Sequence, residues 1–217
     1  MRQIRFNNGK QLNPGKIIGL GRNYLDHIRE LGNTVPERAV IFCKPQTSLL
    51  ENNGTIILPE FANECHHELE LAVLIGKSGK KIALEEAHEY IAGYAVALDL
   101  TLRDLQSELK EKGLPWDIAK GFDTSCPLSS FVPADQVTDP NNLNLLLKVN
   151  GEIRQQGNTA QMMRSVEEII AEISIYFTLE PGDIILTGTP AGVARINSGD
   201  LLEGTIDQVG SLKVSVA

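Results

Sequence analysis

The chain has 217 residues, 42% of them apolar and 22% charged, an ordinary globular composition that excludes disorder and collagen-like repeats. Acidic residues outnumber basic ones 28 to 20, and the resulting net charge of -8 argues against a phosphate-backbone footprint, so no nucleic-acid partner is expected. No apolar run approaches the ~20 residues of a membrane span, and the start, Met1-Arg2-Gln3-Ile4-Arg5-Phe6, lacks the apolar stretch of a secretory signal; the expectation is a cytoplasmic chain with no membrane partner.

Short apolar runs punctuated by Gly, Pro and Asn predict a β-rich α+β fold, a single domain over 1–217 in which 1–15 form a short N-terminal segment. Ile17 to Leu20 reads as a strand leading into a two-turn helix, capped by Asn23 and closed by Gly32. Ala39 to Cys43 and Thr55 to Leu58 read as strands on either side of the Glu51-Asn52-Asn53-Gly54 turn, with Lys44-Pro45 ending the first. His67 to Ile75 reads as one long strand, Ala83 to Ile91 as a helix, and Tyr94 to Leu100 as a buried strand. Thr101 and Asp104 then open a helix that Gly113 closes. Asn150-Gly151, between Leu145–Val149 and Glu152–Gln156, is the signature of a type I′ hairpin, and Ser165 with Glu168 caps a helix running to about Phe177. After the Glu180-Pro181-Gly182-Asp183 turn come a strand over Ile184 to Thr187, the loop Gly188-Thr189-Pro190-Ala191-Gly192 and a β-rich tail. The three cysteines, Cys43, Cys65 and Cys126, have neither even number nor CxxC spacing, so they are expected as reduced packing residues.

Glu68 and Glu70 are two apart on a strand, which puts both on one face with Cα atoms roughly 7 Å apart. Asp99 ends an apolar strand, where an unpaired charge would cost several kcal/mol if buried. A cation would answer all three carboxylates, and an all-oxygen set suits Mg²⁺ or Mn²⁺ better than Zn²⁺. The plainer alternative is a solvated strand face and a helix N-cap. His27 and Glu30, at i and i+3, make either a dyad that can deprotonate water or a surface ion pair worth at most about 1 kcal/mol. Cys65-His66-His67 alternate across a strand and cannot converge on a soft metal. Arg103 and Gln106 share a helix face, and Lys120 follows Trp116; they can hold carboxylates, or be a solvated face and a lone surface lysine. The loop at Gly188 to Gly192 offers backbone N–H groups or the Thr189 hydroxyl to an anion, but lacks the GKS/T of a P-loop.

Five ordered segments, Gly21-Arg22-Asn23-Tyr24-Leu25-Asp26-His27, His66-His67-Glu68-Leu69-Glu70-Leu71, Asp99-Leu100-Thr101-Leu102-Arg103-Asp104-Leu105-Gln106, Lys112-Gly113-Leu114-Pro115-Trp116 and Leu186-Thr187-Gly188-Thr189-Pro190, resemble the signature segments of the fumarylacetoacetate hydrolase family, from about Lys16 to the end. The nearest likeness is to its small acylpyruvase and oxaloacetate decarboxylase subgroup. That resemblance implies a mixed β-sandwich roll with a few short helices, a homodimer, and Mg²⁺ or Mn²⁺ held at the positions of Glu68, Glu70 and Asp99. It further implies a His27–Glu30 dyad on a lid segment, Lys120 at the developing charge, and Arg103, Gln106 and Thr189 as substrate contacts; Arg22 receives no role. The expected reaction is cleavage of an acylpyruvate, a small 2-oxo acid, to a carboxylate and pyruvate, with oxaloacetate decarboxylation beside it. The rivals are a tautomerase or isomerase of oxaloacetate or 2-hydroxy-dienoates on the same site, and a metal-binding module without catalysis.

Overall fold

A computed structural model describes residues 3–32 and 34–217; Met1 and Arg2 of the N-terminal segment, and Asn33, lie outside the described residues. The strands Leu69–Ile75 and Ile91–Leu98 pair antiparallel at the centre of an eight-stranded sheet, and their alternate residues face two separate cores. Leu69, Leu71, Val73, Val96 and Leu98 enter the larger core, while Ala72, Leu74, Ala95 and Ala97 enter the smaller one. Burial on both faces explains why these two strands read as continuous apolar runs rather than alternating ones.

The eight-stranded sheet runs, in spatial order, Val40–Lys44, Ile17–Gly21, Ile184–Leu186, Leu69–Ile75, Ile91–Leu98, Cys126–Leu128 and Leu49–Glu51, with Val132–Pro133 also on Ile91–Leu98. A five-stranded sheet of Glu152–Asn158, Asn144–Val149, Leu201–Ile206, Gly210–Val216 and Thr55–Ile56 packs across the larger core through Leu147, Leu202, Leu212 and Val214. The sheets approach closely at Gly204, where a Cβ would lie 2.7 Å from a Leu69 methyl. The helix Val166–Tyr176 buries Val166, Ile169, Ile170 and Ile173 in the same core. The smaller core is closed by Ile4 and Phe6, beside the hairpin of Ile4–Arg5 and Gln11–Leu12, and by Phe131. The result is a β-rich sandwich with few and short helices, as the sequence predicts. Among the described residues no helix is long and apolar enough to cross a membrane.

Local signals hold where partners are local. Asn150 and Gly151 both take positive φ (53° and 81°) in the predicted hairpin, and Ser165 and Glu168 form a complete capping box on Val166–Tyr176. Four expectations need correction. The strand expected over His67 to Ile75 is two, Cys65–His67 and Leu69–Ile75, because the Leu69 N–H turns to the Gln155 side chain and the chain changes sheets at Glu68. The helix over Ala83 to Ile91 is a 3-10 helix, Leu84–Tyr90. The strand expected over Thr55 to Leu58 ends at Ile56, and Leu49–Glu51 is a strand the sequence did not announce. Asn23 and Thr101 cap no helix; both side chains are buried and bonded elsewhere. All three cysteines are free, and burial pushes the Cys65 and Cys126 thiols up to about 12, as packing residues require.

Candidate active site

Register assembles the acidic cluster. In the central ladder Leu69 faces Leu98 and Glu70 faces Ala97; one step further, Asp99 N–H donates to Glu68 C=O at 2.8 Å, so Asp99 stands across from Glu68. Even-numbered residues of one strand and odd-numbered residues of the other share a face. The three carboxylates therefore meet at one end of that face, with ligand oxygens all within 4.8 Å of one another and all three residues buried.

Three cations come to this cluster from three different elements. Lys120, ending the short helix Asp117–Lys120, donates to Glu68 Oε2 (2.9 Å), Asp99 Oδ2 (2.5 Å) and Thr101 Oγ1 (2.6 Å). An ammonium has three protons, so all its donors are engaged; its Nζ also lies 4.7 Å from the centre of the Phe42 ring. Arg103, opening the helix Arg103–Glu111, pairs through Nη2 with Glu68 Oε1 and through Nη1 with Gln106 Oε1 at 2.6 Å. Lys44, at the end of Val40–Lys44, is fully buried, bonds the carbonyls of Leu100, Lys120 and Ser125, and stands 2.7 Å from Asp99 Oδ1. Burial works against the Glu68 charge, yet Lys120 and Arg103 hold its carboxyl well below the usual range. Burial also works against the Lys120 charge, which Asp99 and Glu68 keep above its ordinary value. Glu70 behaves oppositely: burial, then the charges of Asp99 and Glu68, push it well above the usual range.

The dyad sits on the helix Leu25–Glu30. His27 is 6% exposed, and its Nδ1 lies 3.1 Å from Glu30 Oε2; Glu30 Oε1 accepts the Gly192 N–H at 2.9 Å. An ionised Glu30 only accepts, so the Nδ1 proton faces it and Nε2 is left as the basic nitrogen. The helix is positioned by Asn23, whose side chain donates to Thr187 C=O and Arg164 C=O and accepts the Arg164 N–H.

The loop after Ile184–Leu186 serves the protein's own groups. Gly188, at φ 96°, gives its N–H to Glu70 Oε2 at 2.7 Å. Thr189 Oγ1 donates to Leu69 C=O (2.9 Å) and accepts from Gln155 Nε2 (2.7 Å), so its one hydroxyl proton is already placed and can meet a substrate carboxylate only by leaving Leu69. Gln155, fully buried, also donates to Pro190 C=O and, through Oε1, accepts from Leu69 N–H and pairs with His67 Nδ1. Burial holds His67 below its ordinary pKa, so the neutral ring carries its proton on Nδ1.

A cavity of about 110 Å³ opens onto this assembly. Of the nine residues singled out from the sequence, His27, Glu68, Glu70, Arg103, Gln106, Lys120 and Thr189 line it; Asp99 and Glu30 are bonded to Lys120 and His27. Leu20, Phe42 and Trp116 supply apolar wall, and Arg22 and Lys110 line it too. The expected solvated alternatives for Glu68, Glu70, His27, Gln106 and Lys120 are excluded, since each is under a tenth exposed, and so is the helix N-cap for Asp99, because the helix that follows is capped at Leu102. Lys44, Gln155 and the clamping role of Asn23 escaped the sequence. Gln155 carried no signal at all, and Lys44 read only as the end of a strand.

The donor set fits a hard divalent cation. Asp99 Oδ1 receives no hydrogen bond although Lys44 stands beside it, and Glu70, which none of the three cations pairs with, is buried next to the charges of Asp99 and Glu68 and accepts the Gly188 N–H.

The fold and site define a β-roll enzyme with an acidic triad and a His–Glu dyad on one small cavity. The family model described as "Fumarylacetoacetate (FAA) hydrolase C-terminal" matches residues 16–217, and the chain belongs to the fumarylacetoacetate hydrolase family. It is 50% identical over 193 residues to the oxaloacetate tautomerase YcgM of Escherichia coli, covering 88% of each chain. It is 48% identical over 200 residues to the mitochondrial oxaloacetate tautomerase of Mus musculus, covering 92% of this chain and 90% of the relative. A crystal structure of fumarylpyruvate hydrolase from Pseudomonas aeruginosa in complex with Mn²⁺ and pyruvate superposes with a TM-score of 0.96 at 37% identity, covering 100% of this chain and 95% of that one.

Proposed function

We propose that this chain is a Mg²⁺- or Mn²⁺-dependent enzyme of small 2-oxo acids whose main reaction is the keto–enol interconversion of oxaloacetate. The observation that carries the reading is a buried histidine, oriented by a carboxylate, lining the same small cavity as the buried carboxylate cluster. The oxaloacetate tautomerases at 48–50% identity support it. Glu68, Glu70 and Asp99 would hold the cation, which when bound supplies Lewis-acid polarisation of the 2-oxo group.

The chain's own residues do the rest. His27 Nε2 takes a proton from C3 of the keto form and the enolate oxygen takes one from water to complete the enol; in the reverse direction the enol O–H proton goes to water and the imidazolium returns a proton to C3, while Glu30 steadies the imidazolium through Nδ1. Lys120 opposes the negative charge gathering on the enolate oxygen by its field alone, because its three protons stay on Glu68, Asp99 and Thr101. Arg103 and Gln106 line the cavity where a substrate carboxylate would lie, and the apolar wall of Leu20, Phe42 and Trp116 limits water.

A second reading, hydrolysis of acylpyruvates, draws on the fumarylpyruvate hydrolase relative and on the same dyad acting on water instead of carbon. Oxaloacetate decarboxylation would need no attacking water. Assembly as a homodimer belongs to the same proposal.

The test follows enol absorbance of oxaloacetate with Mg²⁺ or Mn²⁺ and again after EDTA. Wild-type protein should accelerate the decay in a metal-dependent way, and His27→Ala should slow it about 10²- to 10⁴-fold with Mn²⁺ binding intact. A folded, metal-loaded enzyme that leaves enol decay unchanged but releases pyruvate from acetylpyruvate would replace the first reading with the second.

A further inference from the structure

One buried cation has no part in the steps above. Lys44 ends the strand Val40–Lys44, and its side chain has no exposure. Its Nζ meets four acceptors with three protons: the carbonyls of Leu100 (3.2 Å), Ser125 (3.0 Å) and Lys120, and Ser125 Oγ (3.2 Å). Asp99 Oδ1 lies 2.7 Å away yet receives none of those protons. The ammonium therefore sets its charge against Asp99 while the lone pairs of Oδ1 stay open to another cation.

The groups that Lys44 anchors carry two of the site's side chains. Leu100 follows Asp99, so the bond to its carbonyl fixes the strand end that bears this carboxylate. The Lys120 carbonyl closes the helix Asp117–Lys120, and it also accepts the Ser125 hydroxyl at 2.8 Å. Leu100 N–H donates to Ser125 C=O at 2.9 Å, which joins the two halves. Phe42, two residues before Lys44 and on the same strand face, lays its ring against Lys120 Nζ. Pro45 seats against the end of the same helix, where a Cβ on Gly121 would fall 2.8 Å from Pro45 Cδ. One strand end thus holds Lys120 by its backbone and by its ammonium. Desolvating an ammonium is expensive, and backbone N–H groups satisfy carbonyls at less cost, so the fold alone gives Lys44 little reason to be there.

We infer that Lys44 is a positioning residue of this site: through Asp99 it aligns one ligand of the divalent cation, and through the Lys120 carbonyl it aims the ammonium that opposes the enolate charge. The part concerning turnover rests on the proposed reading; the part concerning the cation rests on the carboxylate cluster alone.

The test compares Lys44→Met, which keeps the length of the side chain and removes its charge, with Ser125→Ala, a milder change that removes the hydroxyl shared by Lys44 and the Lys120 carbonyl. Mn²⁺ affinity by calorimetry, enol decay of oxaloacetate at saturating Mn²⁺, and melting temperature are measured on each. Lys44→Met should weaken Mn²⁺ binding and lower kcat, each by about 10- to 100-fold. Its KM should stay within about threefold of wild type, as for an interaction expressed in the transition state. Ser125→Ala should shift affinity and kcat in the same direction, severalfold. A lysine of merely structural importance would lower the melting temperature and leave Mn²⁺ affinity and kcat of the folded variant at wild-type values, which would overturn the inference. Tighter Mn²⁺ binding by Lys44→Met would overturn it as well, because Lys44 would then compete with the cation instead of presenting Asp99 to it. Should Lys44→Met fail to fold, wild-type affinity and kcat in Ser125→Ala would be the refuting result. A wild-type protein that binds Mn²⁺ without accelerating enol decay would remove the tautomerase reading, while a loss of Mn²⁺ affinity in Lys44→Met would still uphold the positioning of Asp99.

Discussion

Replacing Gln155 by leucine tests whether the site's alignment depends on one buried amide. Its Oε1 accepts from Leu69 N–H at 2.9 Å and pairs with His67 Nδ1 at 3.0 Å; its Nε2 donates to Thr189 Oγ1 at 2.7 Å and Pro190 C=O at 2.9 Å. Both ends of the amide are thereby fixed, since Leu69 N–H can only donate and Pro190 C=O only accept. The leucine would leave the Leu69 N–H, the Pro190 C=O and the His67 Nδ1–H without partners in a site with no exposure. At about 1–3 kcal/mol for each orphaned buried group, less some gain from the added apolar side chain, the loss should be about 4 kcal/mol. For a chain of this length that is roughly 8–16 °C in Tm, a large part of a typical 5–15 kcal/mol stability. Urea denaturation and calorimetric melting measure it directly. Gln155→Glu should fare no better, because an oxygen would then face Pro190 C=O. A Gln155→Leu protein within about 1 kcal/mol of wild type would refute the idea that this junction holds the start of Leu69–Ile75 to the Thr189 loop.

Asp99→Asn keeps the shape of the triad while removing one charge; loss of a metal ligand should exceed the 10- to 100-fold typical of changes behind the ligands, and Mn²⁺ calorimetry at wild-type affinity would remove Asp99 from the donor set. Stability should also respond to Asp104. Burial opposes its charge, but N–H groups of Asn63 and Leu105 hold its carboxyl below the ordinary 3.8. A depressed folded value means the contribution is present above pH 3.8 and disappears as pH falls through the folded value. Denaturation midpoints taken from pH 6 down to pH 3 should therefore fall less steeply in Asp104→Asn than in wild type; equal slopes would contradict the assignment.

What could be read from the sequence was what is settled within a few residues. The Asn150-Gly151 hairpin and the Ser165–Glu168 cap depend on backbone conformation and N–H groups of neighbouring residues, and both form as expected. The β-rich class followed from short apolar runs, and the five segments named the family before any geometry was known. The i, i+3 spacing likewise found the His27–Glu30 pair, which forms at 3.1 Å. Glu68 and Glu70 were found by the two-residue period, although Glu68 lies at a break between strands and not within one.

Tertiary structure alone decided the remainder, because the partners are distant in the chain. Asn23, whose position suggested a helix cap, is occupied by groups more than 140 residues away. Lys120, which could equally have been a surface lysine, is buried by carboxylates of Glu68 and Asp99. Lys44 and Gln155 have nothing around them in sequence to mark them, since a buried cation or amide is defined by the groups that surround it after folding. Local conformation is fixed by adjacent atoms and so is written in adjacent residues. Charge, burial and hydrogen bonding in the site arise from strand register and sheet packing, which bring Glu68, Asp99, Lys44 and Lys120 together from four separate stretches of chain.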